Sequence, residues 1–171
     1  MLLAASSSEW PESGFTGIKI NPESLLPEVV NAESCAAALA ASTDPADLIY
    51  VRLVEGRTAE AAELLASARC RQPSAIRLRL FEAVLLRMAN RLDASAELYA
   101  QLLAETQGTL QEAAVLQHQG RSHFAVGNIA AAVDSLAAAL DLRVAASDDA
   151  ALIYASTVAL QRARHVLEQA S

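Results

Sequence analysis

The stretch GRTAEAAELLASARCRQP, residues 56–73, decides the fold once two later stretches are laid over it: NRLDASAELYAQLLAETQ at 90–107 and GNIAAAVDSLAAALDLRV at 127–144. Their first residues, Gly56, Asn90 and Gly127, are turn formers spaced 34 and 37 residues apart. At offsets of five, nine and twelve residues stand Ala61, Leu65 and Ala68 in the first stretch. Ser95, Tyr99 and Leu102 take those places in the second, and Ala132, Leu136 and Ala139 in the third. On a helix these offsets share one face. Small residues there let a neighbouring helix approach, and the bulky one fills the space between. A helix pair of this kind covers only part of its apolar surface and leaves the remainder for the next pair.

Outward from these stretches the whole chain reads as helix. All five prolines lie within the first 73 residues, and the rest of the chain is rich in Ala, Leu, Glu, Arg and Gln, which lose little rotamer freedom in a helix. A first helix is expected from about Ser24, with Pro27 in its first turn, through Cys35 to Ala41. Asp44-Pro45 reads as a cap followed by proline at the first helical position. Thr58, Ser74, Asp93 and Asn128 are the candidate starts of later helices. Thr109-Leu-Gln-Glu112 has capping-box spacing, and Ser147-Asp148-Asp149 suits the positive end of a last helix. The sum is eight helices joined by short turns, which forces consecutive helices antiparallel and adjacent. The expected fold is therefore all-α, with an irregular N-terminal arm over 1–22 and a helical domain over 23–171.

The pattern Ala61, Leu65, Ala68 and Pro73, with Gly120 inside QHQGRSHFAVGN, resembles the tetratricopeptide repeat. The resemblance spans about 42–147, as units 42–75, 76–109 and 113–147, flanked by helices over 23–41 and 148–171. Departures are visible. Pro45, Arg79 and Leu116 stand where the family carries tryptophan; Arg52, Leu86 and His123 replace its first-helix aromatic; Glu82-Ala83 replaces a Leu-Gly pair. The resemblance implies a short right-handed α-solenoid whose first helices line a concave groove for an extended peptide or a partner helix. It places Tyr50 and Val54 on that face in the first unit. In the second unit it places Arg77, Leu80, Val84, Arg87 and Met88 there, and in the third Gln117, Arg121 and Phe124. The Lys/Asn clamp that some members close on a C-terminal carboxylate is absent, since Ala46, Tyr50, Leu80 and Val84 occupy its places. An apolar groove with arginines remains, suited to a protein or peptide with apolar anchors and negative charge.

Composition narrows the alternatives. A hydrophobic share of 53% excludes disorder, and twenty acidic against thirteen basic residues argue against nucleic acid. No run approaches the roughly 20 apolar residues of a membrane span. MLLAASSSEWPESG lacks the basic start and apolar core of a secretory leader, so a cytoplasmic protein is expected. Twelve arginines to one lysine, with abundant alanine, suggest a GC-rich bacterial genome. Cys35 and Cys70 read as small buried thiols. His118 and His123 are five apart, so they diverge on a helix and do not form a ligand pair. His165 and Glu168 share a face without the further carboxylates of a helical metal site. No nucleophile elbow or glycine-rich phosphate loop occurs. The reading is thus a non-enzymatic binding adaptor with neither cofactor nor metal. Two alternatives stay open: self-association as a homodimer through the alanine-rich terminal helices, and a helical small-ligand or signal-peptide sensor, which would need a closed pocket. Trp10, Phe15 and Ile18 are expected to dock the arm on the groove, on a neighbouring molecule or beside the first helix.

Overall fold

The computed structural model describes residues 6–171. The first five residues of the MLLAASSSEWPESG stretch, weighed above as a secretory leader, fall outside them. Among the described residues the chain is all-α apart from one small hairpin. A short 3-10 turn (Ser7–Glu9) precedes strands β1 (Ile18–Ile20) and β2 (Pro27–Val29). Eight helices complete the described chain: α1 (Ala32–Ala41), α2 (Pro45–Val54), α3 (Thr58–Arg71), α4 (Ile76–Met88), α5 (Leu92–Thr106), α6 (Glu112–Ala125), α7 (Ile129–Ala145) and α8 (Ala150–Gln169). No described helix is long and apolar enough to cross a membrane.

The three anchors of the sequence pattern form one turn, three times over. Gly56, Asn90 and Gly127 take φ of 76°, 59° and 83°. Each is followed by a residue (Arg57, Arg91, Asn128) with ψ of 65°, 65° and 70°. The hydrogen bonds repeat as well. The amides of Arg57, Arg91 and Asn128 reach back to the carbonyls of Arg52, Leu86 and His123, closing the preceding helix in the manner of a Schellman motif. Ser147, at φ 51°, makes a fourth copy before α8.

All nine small–large–small positions are buried. Gly120 shows how tight the α6–α7 crossing is: a Cβ there would lie 2.6 Å from Leu136 Cγ. Where alanine opens the first and third stretches, Ser95 donates its hydroxyl to the Ala83 carbonyl at 2.8 Å, so the polar substitute is satisfied. Successive helices from α2 to α8 pack pairwise, and α2 touches α4, α4 touches α6, and α6 touches α8. The even-numbered helices thus share one face, the inner face.

The segment before Asn31 corrects the sequence reading. Residues 18–29 form an antiparallel hairpin, pairing Ile18 with Val29 and Ile20 with Pro27, and α1 begins only at Ala32 under a cap from Asn31 Oδ1. The cause is local. Asn21 and Ser24 accept bonds from the amides of Glu23 and Leu26, which holds a turn against a helix. Gly17, at φ 82°, lies where a Cβ would meet the Asn31 carbonyl at 2.5 Å, so the chain reverses there through glycine alone.

The helix starts correct it in smaller ways. Asp44 and Asp149 cap α2 and α8 as expected, accepting from the amides of Ala46 and Ala151. Thr58, Ser74 and Asp93 do not cap. Arg57, Ala75 and Arg91 hold those positions without side-chain bonds, because the repeated turn already fixes the chain's entry into α3 and α5. Asn128 does sit at the N-cap of α7, again without a side-chain bond. In the 109–112 turn Glu112 accepts from the Gly108 amide, and Thr109 Oγ1 accepts from the Gln111 amide, so the box is displaced by one residue. Cys35 is buried as expected, but Cys70 is exposed; both are free thiols.

Candidate functional site

The N-terminal segment lies against the inner face and ties its two ends together. Near the first helices, Ile18 is wholly buried against Cys35 and Val51, with Phe15 packed beside it. At the far end, Leu25 is buried among Ala132, Leu136, Ala159 and Leu160 of α7 and α8. Burial of such side chains stabilises by about 1.5–3 kcal/mol each. Polar ties add to this: Tyr154 donates to the Glu9 carbonyl at 2.7 Å, and Arg162 Nε to the Glu23 carbonyl at 3.0 Å. Of the three expected anchors, Ile18 and Phe15 dock beside α1 and α2, and Trp10 is half-buried.

Two cavities remain between this segment and the helices. The first, of about 200 Å³, has Leu25, Leu26 and Pro27 on one side and Tyr50, Leu53, Val54, Phe81, Val84 and Met88 on the other. Its polar groups are Arg87, His118, Arg121 and Ser122. The second, of about 430 Å³, lies between Pro11–Gly14 and helices α6 and α8; Gln117, His118, Arg121, Arg143 and Asp149 line it with Glu12. His118 and Arg121 belong to both.

The charge distribution separates this face from the rest of the molecule. Arg52, Arg57, Arg69, Arg77 and Arg79 all pair with carboxylates. Among the described residues, Arg87, Arg121 and Arg143 form no ion pair. Arg71, Arg91 and Arg164 also lack one, but they stand exposed to water; Arg162 lacks one too, and its Nε is spent on the Glu23 carbonyl. Arg143 is buried, donating to Ser156 Oγ at 2.7 Å and to the Leu152 carbonyl at 3.1 Å; Ser156 in turn donates to Gln117 Oε1 at 2.8 Å. Arg121 meets only His118 Nδ1, at 3.4 Å. Arg87 Nε is buried without a hydrogen-bond partner. Burial, with Arg121 nearby, lowers the pKa of Arg87. His118 is pushed down to about 3, first by burial and then by Arg121, Arg143 and Arg77, so it stands neutral among cations.

Of the residues assigned to the groove, Tyr50, Val54, Val84, Arg87, Met88 and Arg121 come together around the first cavity. Tyr50 stacks on Phe81 with ring centroids 5.7 Å apart, and burial raises its pKa. Gln117 lines the second cavity from a buried position. Three assignments need correction. Leu80 turns into the core between α4, α5 and α6, among Ala83, Tyr99 and Val115. Phe124 packs on the α7–α8 cluster instead of the cavity. Arg77 is exposed at the start of α4, where it bridges to Asp44 and Asp47 and lies 5.4 Å from the Phe81 ring centre. All three keep the helical spacing of the stripe, but Leu80 is covered by Tyr99 and Leu102 of α5, Phe124 by the α7–α8 cluster, and Arg77 lies in the first turn of α4.

Sequence reasoning missed Arg143, His118, Ser122 and the hairpin tip. Arg143 sits on a second helix of its unit and reaches the inner face only through its long side chain, which no helical periodicity reports. The hairpin tip carried a signal in Asn21-Pro22, which the sequence reading assigns to the irregular arm, and in Pro27, which it places in the first turn of a helix. The chain matches no protein-family model, no curated protein and no solved structure.

Proposed function

We propose that this chain is a non-enzymatic binding module of the tetratricopeptide type, a short right-handed stack of helix pairs working in a bacterial cytoplasm. Its inner face receives an apolar anchor and an adjoining acidic group from a protein or peptide partner. The observation that carries the reading is the set of sheltered arginines without carboxylates, Arg87, Arg121 and Arg143, on one face of a chain of net charge -7. Holding guanidinium groups half-buried without counter-charge is costly, and a partner's carboxylate would relieve that cost. The hairpin leaves no free run along the face, so the partner inserts one anchor and does not lie extended across the helices.

The test compares the parent with the double variant Arg87→Glu/Arg121→Glu as immobilised bait in native lysate, with captured proteins identified by mass spectrometry. A specific partner should bind the variant about ten- to a hundredfold more weakly, as expected for lost charged hydrogen bonds. Helical circular dichroism should be unchanged. A partner that binds both equally tightly refutes the assignment of this face.

A second reading, a helical small-ligand sensor, is favoured by one observation. Leu25, Leu26 and Pro27 line one side of the first cavity, giving a partly enclosed site where the helices alone would leave an open face.

A further inference from the structure

We infer that the cavity beneath the hairpin tip binds a small amphiphilic carboxylic acid, with its carboxylate between Arg87 and Arg121 and its apolar part against Leu53, Val54, Val84 and Met88. This rests on the second reading of the inner face and names the ligand class for it.

Size is the first argument. At about 200 Å³ the cavity holds a short acyl or aromatic group but not a run of residues. Nor can the space lengthen easily into a peptide channel. The hairpin that bounds it is anchored by Ile18, Ile20 and Leu25, each no more than 5% exposed, and by the ties from Tyr154 and Arg162. Sites for small molecules have this build, with mostly apolar walls and a few convergent polar groups.

Charge is the second. Both arginines line the cavity, and no carboxylate does. The Arg87 Nε–H is buried and unpartnered, and Arg121 has only the neutral ring of His118 beside it. Two like charges facing an apolar space repel each other until an anion sits between them. A carboxylate matches the planar fork of a guanidinium in two-point contact. It also carries a single charge, so bringing it into apolar walls costs less dehydration than a phosphate would.

Titration calorimetry on the full chain tests this with octanoate, octanol and an acidic-hydrophobic peptide. The inference expects octanoate to bind and octanol to bind about tenfold or more weakly, the value of one charged hydrogen bond. Arg87→Gln and Arg121→Gln should each shrink that advantage while leaving octanol unaltered. Neither arginine has a carboxylate partner to lose, and Arg121 gives up only its contact with His118, so circular dichroism checks the fold. Val84→Phe, which fills the cavity, should abolish both ligands. Equal affinity for acid and alcohol overturns the inference, as does an octanoate affinity indifferent to both glutamine variants. If octanoate fails to bind while the peptide binds the parent and not the glutamine variants, the acid site is refuted and the adaptor reading stands. If neither binds, both fall.

Discussion

The helical stack and the hairpin segment bury their anchors equally well, Leu136 and Ile18 both at 0% exposure, but they do so by opposite means. The stack uses one solution repeatedly: the same turn at Gly56, Asn90 and Gly127, and a small–large–small face at constant offsets after each. The hairpin uses each device once. Gly17 supplies a reversal that admits no Cβ, Leu25 is held at φ 59°, and Pro27 ends the pairing at an edge. Repetition builds a surface, and a surface of equivalent positions is poorly suited to distinguishing ligands. The partly enclosed site arises where the single-use segment meets the repeated one. Its polar groups come from the helices and its closure from the hairpin.

The largest expected effect is in the stack. Leu136→Ala should cost ~2–5 kcal/mol, because the side chain that fills the α6–α7 crossing against Gly120 leaves a cavity behind. Gly17→Ala in the hairpin should come next. Left-handed backbone for a non-glycine residue costs about 1–3 kcal/mol, and its Cβ would also press on the Asn31 carbonyl and Cys35 amide. Chemical denaturation followed by hydrogen exchange separates two outcomes. If Gly17→Ala lowers the global midpoint, as Leu136→Ala must, hairpin and stack unfold as one unit. If it releases only the amides of residues 18–30, they are two units, and the comparison sharpens into a stable frame with a separately folding closure.

Pairing and burial in the stack were legible because they repeat: three anchors locate all nine small–large–small positions. The hairpin was not legible, since three-residue strands carry too little alternation to outweigh the helix signal of the neighbouring alanines. Site residues were legible to the extent that they sit on the stripe. Tyr50, Val84, Arg87 and Arg121 do; Leu80, four positions before Val84, has the same spacing but is covered by α5 and belongs to the core. Arg143 could not be found by any rule of spacing, because its role depends on where its guanidinium ends and not on where its backbone begins.

The pH dependence probes the seam between the two regions, where His118 touches both cavities. Its pKa is about 3 in the folded chain and near 6.5 when unfolded, so below about pH 6.5 only the unfolded chain takes up the proton. Stability contributed by the neutral ring is therefore complete above that pH and declines as pH falls toward 3. Near pH 5 the loss should be about 2 kcal/mol. His118→Gln should flatten this part of the profile relative to the parent. Parallel profiles for parent and variant would mean that the ring protonates in place and that the surrounding arginines do not hold it neutral.

The smallest expected effects lie in the ties between the segment and α8. Tyr154→Phe removes the hydroxyl that donates to the Glu9 carbonyl, and Arg162→Ala removes the donor to the Glu23 carbonyl. Both side chains lie near the surface, where water replaces a lost hydrogen bond, so each change should cost only about 0.5–1.5 kcal/mol. Their distribution along the chain is more telling than their size. The two ties sit at different points on one segment, and Leu25 is buried beyond the second of them. If burial of Leu25 holds the hairpin tip in place, Arg162→Ala should speed amide exchange around residues 21–26 only slightly, and Tyr154→Phe should affect only residues before Pro11. If the polar ties hold it, the double variant should free the tip altogether, opening the first cavity and weakening any ligand that needs its closed side. Exchange rates at the Leu25 and Leu26 amides decide between the two. The burial of Leu25 among five apolar neighbours of α7 and α8 favours the first outcome.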